Sequence, residues 1–149
     1  MEVAEHLSPD KSGALVEFLC ASSDVILFSA AIPLQGGTHH INEQWQTFWA
    51  GLFDTAGYEC HDLIRPLIWG NQIVSSWYRQ NALLYVKRSH PVAERARAIV
   101  QAGPIDVVHP EIYEGNLRGL QRVIDEPTLR FCCQSVGRWG RRQMRKIFG

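Results

Sequence analysis

Charge of one sign is what this sequence most plainly lacks: 15 lysine and arginine residues stand against 15 aspartate and glutamate residues. Net charge therefore supplies no argument for a nucleic-acid or membrane partner. No apolar run approaches the ~20 residues that cross a bilayer, so no membrane partner is expected. There is no CxxC pair among Cys20, Cys60, Cys132 and Cys133, which argues against a zinc site. Adjacent Cys132 and Cys133 cannot easily share an ordinary disulfide, and the expectation is free thiols in a reducing compartment. Met1-Glu2-Val3-Ala4-Glu5-His6 has neither the basic start nor the apolar centre of a secretion signal. A soluble, cytoplasmic protein is the expectation. Glycine-rich turns of the G-x-G-x-x-G kind are absent too; the one adjacent glycine pair is Gly36-Gly37.

What is present is 46% hydrophobic residues, arranged in short segments. Ser8 reads as a helix cap with Pro9 at the first helical position, and Leu15, Val16, Phe18 and Leu19 give that helix an apolar face. Residues 24–31 are apolar on both faces and rich in β-branched and aromatic types, as in a central strand. Pro33 and the glycine pair then force a loop. Asn42 is placed to cap the next helix, whose Trp45, Phe48, Trp49, Leu52 and Phe53 recur on one helical face. Gly57 ends it. Residues 58–68 read as extended, with Pro66 putting their end at an edge. A helical turn at 75–78 and a strand over 81–88 follow. Alternating helices and strands predict an α/β layered sheet. After Arg88 the character changes: an amphipathic helix over 91–102, a linker over 104–110 with Ile105, Val107 and Val108, a short helix over 116–124, and a basic tail. The predicted division is a sheet domain, 1–88, and a helical C-terminal extension, 89–149.

Several of these pieces resemble class I S-adenosylmethionine-dependent methyltransferases. Residues 24–33 resemble the fifth strand of that fold, and residues 35–45 (Gln-Gly-Gly-Thr-His-His-Ile-Asn-Glu-Gln-Trp) its continuation into loop and helix. Residues 53–58 look like the approach to the sixth strand, and residues 77–86 the approach to, and body of, the antiparallel seventh. Glu2-x-x-Glu5-His6 resembles the segment just after the fourth strand. The resemblance covers residues 2–88, with its most specific part at 28–45. It implies a partial Rossmann-like sheet, with strands equivalent to five, six and seven, and a glycine-rich, cofactor-holding front half that this sequence does not show.

The resemblance gives candidate residues their roles. His39 and His40 lie in a loop at the carboxyl end of a strand, where open α/β sheets form ligand crevices. Either imidazole could take a proton from an acceptor hydroxyl or amine, and His40 is preferred because it directly precedes Ile41-Asn42-Glu43. Glu43 would orient a histidine or act as base; its plainer role is a carboxylate in the first helical turn. Glu5 and His6 would lie beside the methyl-donor end of the S-adenosylmethionine cofactor. Gln35, Asn42 and Arg65 are candidate substrate contacts, with loop polarity, helix capping and an ion pair as their ordinary alternatives. Trp45, Trp49, Trp77 and Tyr78 read as core or crevice wall. The expected reaction is methyl transfer to a small-molecule hydroxyl or amine. The alternative is a non-catalytic interaction module that pairs through an exposed sheet edge, with a second copy or another chain as partner. The basic tail, Arg138 to Lys146 with Trp139, could meet phosphates, but nucleic acid is not the expected partner.

Overall fold

A computed structural model describes residues 1–99, 103–125, 133 and 136–139. The chain divides into two units, Met1–Ile112 and Tyr113–Gly149. The fold of the first is mixed α/β. A 3-10 turn, Ala4–His6, and a second one, Pro9–Lys11, lead into α1 (Ser12–Ser22). Then come β1 (Val25–Phe28), α2 (Gln46–Thr55), β2 (Tyr58–His61), α3 (Arg65–Ile68), α4 (Ser76–Asn81), β3 (Leu83–Lys87) and α5 (Pro91–Ile99). Helix α6 (Pro110–Asp125) begins in the first unit and forms the start of the second.

The three strands form one sheet in the order β1-β3-β2. β3 is antiparallel to both neighbours, with Leu27 opposite Leu84 and Cys60 opposite Tyr85. Side chains alternate across a strand, so Leu83 and Tyr85 of β3 join Ile26, Phe28 and Tyr58 on one face. There they meet Val16 of α1 and Trp49 and Phe53 of α2 in the main core. The Phe53 and Tyr85 rings stack with centroids 3.9 Å apart and planes 19° apart, and Phe28 meets Phe53 edge-on at 5.5 Å. On the other face α5 packs on β2 and β3, burying Ala93 and Ala96.

Several expectations change. Among the described residues β1 is an edge strand rather than a central one: β3 flanks one side only, and Leu27 stays 43% exposed because α5 lies on β2 and β3. Asn42 does not cap α2, which starts at Gln46 behind Trp45. Of the five aromatic and aliphatic residues on its predicted stripe, Trp49 and Phe53 are buried, whereas Trp45 and Phe48 are exposed. The first unit also runs past Arg88. Arg97 of α5 forms a two-pronged ion pair with Glu59 of β2 at 2.7 and 2.8 Å. Asp106 receives both the backbone N–H and the hydroxyl of Thr47, and Ile105 packs against the core. Cys20, Cys60 and Cys133 are free. Cys132, Arg141, Arg142, Arg145 and Lys146 lie outside the described residues.

Candidate functional site

The 3-10 turn carrying Glu5 and His6 is sewn to the loop carrying His40. The Glu5 carbonyl accepts the backbone N–H groups of Ile41 (2.9 Å) and Asn42 (3.1 Å). The Asn42 side chain, 2% exposed, donates to the Ala4 carbonyl at 3.2 Å and to Ser12 Oγ at 2.9 Å, while its Oδ1 accepts from Gln44. Both side-chain polar groups of Asn42 are therefore engaged inside the protein. Its part in the site is to hold two segments, 38 residues apart in sequence, in register.

The loop closes on itself through Glu43. Its carboxylate accepts the N–H of Leu34 (2.9 Å) and of Gly36 (3.1 Å) and meets His40 Nδ1 at 3.0 Å. A carboxylate that already accepts two backbone donors holds Nδ1 as a further donor, which leaves His40 Nε2 as the ring's acceptor. Gly37 makes room for this ring. At φ 152° it lies in a region that side chains rarely adopt, and a Cβ there would stand 2.2 Å from the His40 ring. Leu34 and His39 also take left-handed backbone conformations, φ 67° and 59°. The loop thus owes its shape to internal hydrogen bonds rather than to intrinsic preference.

These segments enclose a crevice of about 390 Å³ beyond the carboxyl end of β1, lined by Glu2, Glu5, His6, Gln35, Gly36, Gly37, His40, Trp77 and Ile112. Its size falls within the range of small-molecule sites. Glu5 is 1% exposed, and its Oε2 has no hydrogen-bond partner. The His6 Nε2 atom is 4.0 Å from Glu5 Oε1, and the His6 and His40 rings meet edge to face at 4.9 Å. Burial pushes the Glu2 carboxyl above its ordinary range, and the neighbouring Glu5 charge acts the same way. Gln35 Oε1 is fixed by the amides of Gln80 (2.9 Å) and Asn81 (2.8 Å).

Glu5, His6, Gln35 and His40 thus line one crevice, with Glu43 bonded to His40 but outside the lining. His39 and Arg65 do not join its lining. His39 is exposed. Arg65, 2% exposed, pairs with Asp62 through two nitrogens (2.9 and 2.7 Å) and donates to the carbonyls of Gln80 and Ile105. Its Nη1 ties the 105 segment to the end of α4, and its other two nitrogens bind Asp62. Sequence reasoning missed Gln80 and Asn81, which brace Gln35 across 45 and 46 residues. No local pattern marks such a pairing. Glu2 was legible only as the first position of Glu2-x-x-Glu5-His6.

A larger groove of about 580 Å³ over α2, β2 and α5 includes Glu59, Cys60, His61 and Arg97. Its charges are already matched by the Glu59–Arg97 pair. Burial pushes the Cys60 thiol up to about 11, so it is no nucleophile at neutral pH. The smaller crevice, with a buried carboxylate whose Oε2 has no hydrogen-bond partner, is the better site.

No family model, curated protein or solved structure matches the chain.

Proposed function

We propose that the crevice is the acceptor side of a methyl-transfer site and that β1, β2 and β3 correspond to strands five, six and seven of a class I methyltransferase sheet. The observation that carries this reading is the convergence of Glu5-His6 and His40–Glu43, from separate segments, beyond the carboxyl end of β1. The antiparallel setting of β3 against both neighbours supports it. The residues present fit the charged end of S-adenosylmethionine: a buried carboxylate with an unpartnered oxygen suits a sulfonium cation. Among the described residues no glycine-rich turn fits the nucleoside end. Bound there, the cofactor would supply an electrophilic methyl group. In this chain His40 Nε2 would take the proton from a small-molecule hydroxyl or amine. Glu43, anchored by two backbone N–H groups, would hold the ring's tautomer and stabilise its charged form.

Equilibrium dialysis of the full chain tests this reading. Labelled S-adenosylmethionine is expected to bind weakly, and Glu5→Gln to weaken it further. The neutral product, S-adenosylhomocysteine, is expected to bind less well than the cation. Equal binding of cation and neutral thioether, or no saturable binding of either, would sink the assignment.

A second reading is favoured by the edge position of β1. Among the described residues no strand pairs with its outer side, and such an edge is a template for another strand. A second copy or another chain would then complete the sheet. Sedimentation equilibrium over a hundredfold concentration range should show self-association if copies pair; a monomer throughout removes the homodimer form of this reading.

A further inference from the structure

The crevice offers a second chemistry, which would use the same Glu5 and His40 in place of methyl transfer. Glu5, His6 and His40 each offer a ligand atom, and these atoms lie within 4.8 Å of one another. We propose that Glu5, His6 and His40 bind one divalent first-row transition-metal ion, with Glu43 positioning His40 from behind.

Donor type is the first argument. Two imidazole nitrogens and one carboxylate oxygen form a mixed set suited to zinc, iron(II) or manganese(II) rather than to calcium or magnesium, which prefer oxygen alone. The second argument is independent of the clustering. Glu5 is 1% exposed, and its Oε2 has no hydrogen-bond partner. A buried carboxylate oxygen without a donor is costly, and a cation in the crevice would satisfy it. The third is the support behind His40. Its Nδ1 is held by Glu43 at 3.0 Å, and Glu43 is itself fixed by two backbone N–H groups. A carboxylate behind the non-ligating nitrogen orients a metal-binding imidazole and raises its basicity. The Nε2 atom is left for the ion.

Donors around a tetrahedral ion at ~2.1 Å lie about 3.4 Å apart. The cluster must therefore contract, and His6 can do this: its side chain is 44% exposed, whereas Glu5 and His40 are held by burial and hydrogen bonding. Three protein ligands leave a coordination position open to the crevice, as in catalytic rather than structural sites. In the loaded form His40 Nε2 is a ligand instead of a base, and a hydroxyl bound at the open position would lose its proton more readily.

The test uses the full chain, stripped with a chelator and titrated with cobalt(II), without S-adenosylmethionine or acceptor, so that its outcome is separate from that of methyl transfer. Visible absorption is expected to saturate at one equivalent, and zinc to displace the cobalt. Glu5→Gln and His40→Ala should each weaken binding at least about tenfold, and Glu43→Gln by about 10- to 100-fold. His6→Ala, at an exposed side chain, gives the same loss without threatening the fold, and circular dichroism verifies each variant. His39→Ala should bind as the unsubstituted chain does. Absence of a saturable cobalt site, retention of full affinity in folded His6→Ala and His40→Ala, or an equal loss in His39→Ala would each overturn the proposal.

Discussion

At the scale of single residues, the two neighbouring glycines of the crevice loop make different demands. A Cβ on Gly36 would meet nothing within 4 Å, whereas one on Gly37 would collide with the His40 ring. Both take positive φ values, 78° and 152°. Gly36→Ala is expected to cost about 1–2 kcal/mol of stability through backbone strain alone and to leave the crevice intact. Gly37→Ala should push the imidazole aside as well. NMR titration of the histidine ring protons checks this: the His40 resonance should move in Gly37→Ala and stay nearly fixed in Gly36→Ala. Arg65 makes the opposite point. The sequence offered it as a substrate contact, and the fold buries it against two carbonyls and Asp62. Arg65→Ala leaves those acceptors without a donor and should destabilise by about 3 kcal/mol or more. Arg65→Lys cannot reproduce the two-pronged geometry and should recover only part of that loss. Urea unfolding that found both variants near wild-type stability would show that the buried guanidinium contributes little.

At the scale of elements, the periodic pattern of α2 predicts the helix but only part of its buried face. Its helical spacing was legible because residues three and four apart share a face. Trp49 and Phe53 occupy that face's centre; Trp45 precedes the helix and Phe48 sits at its margin, so neither is buried. Phe53, with 0% exposure, joins α2 to the sheet through Tyr85 and Phe28. Phe53→Ala should cost about 3–5 kcal/mol, while Phe48→Ala, at 39% exposure, should cost under about half as much. Denaturant midpoints of the two variants decide between a helix anchored at its centre and one anchored evenly. The sequence pattern also predicts the α5 helix, but not its attachment to the sheet. That attachment rests on Ala93 and Ala96, small residues whose burial depends on what faces them, and on Arg97 meeting Glu59.

At the scale of the whole molecule, no helix among the described residues is long and apolar enough to cross a membrane. Stability should depend on pH through His61, which is 3% exposed. Burial lowers its pKa; the Glu59 carboxylate opposes the shift and Arg97 adds to it. The folded state therefore binds protons less readily here than the unfolded chain does. Stability from this group is present above the ordinary imidazole pKa of about 6.5 and is lost as pH falls through it. Melting temperatures should decline between about pH 7.5 and pH 5.5, and the decline should be shallower in His61→Gln. Glu59, whose pKa the Arg97 hydrogen bond holds low, stays charged across that window and does not confuse the reading. Parallel slopes for the two proteins would remove His61 from the account.

The sequence by itself determined the segments: apolar periodicity and the breaks at Pro33, Gly36-Gly37 and Gly57 are local properties, set by backbone sterics and side-chain spacing. It also marked Glu5, His6, His40 and Glu43 as chemically capable. Only the tertiary structure decided that β1 stands at an edge, that Asn42 sews the Glu5 turn to the His40 loop instead of capping α2, and that Arg65 is a brace. The physical reason is the same in each case. Burial and hydrogen-bond pairing are settled by groups distant in the chain. Glu5 and His40 become one site only because a carbonyl, two backbone N–H groups and one buried amide hold them together.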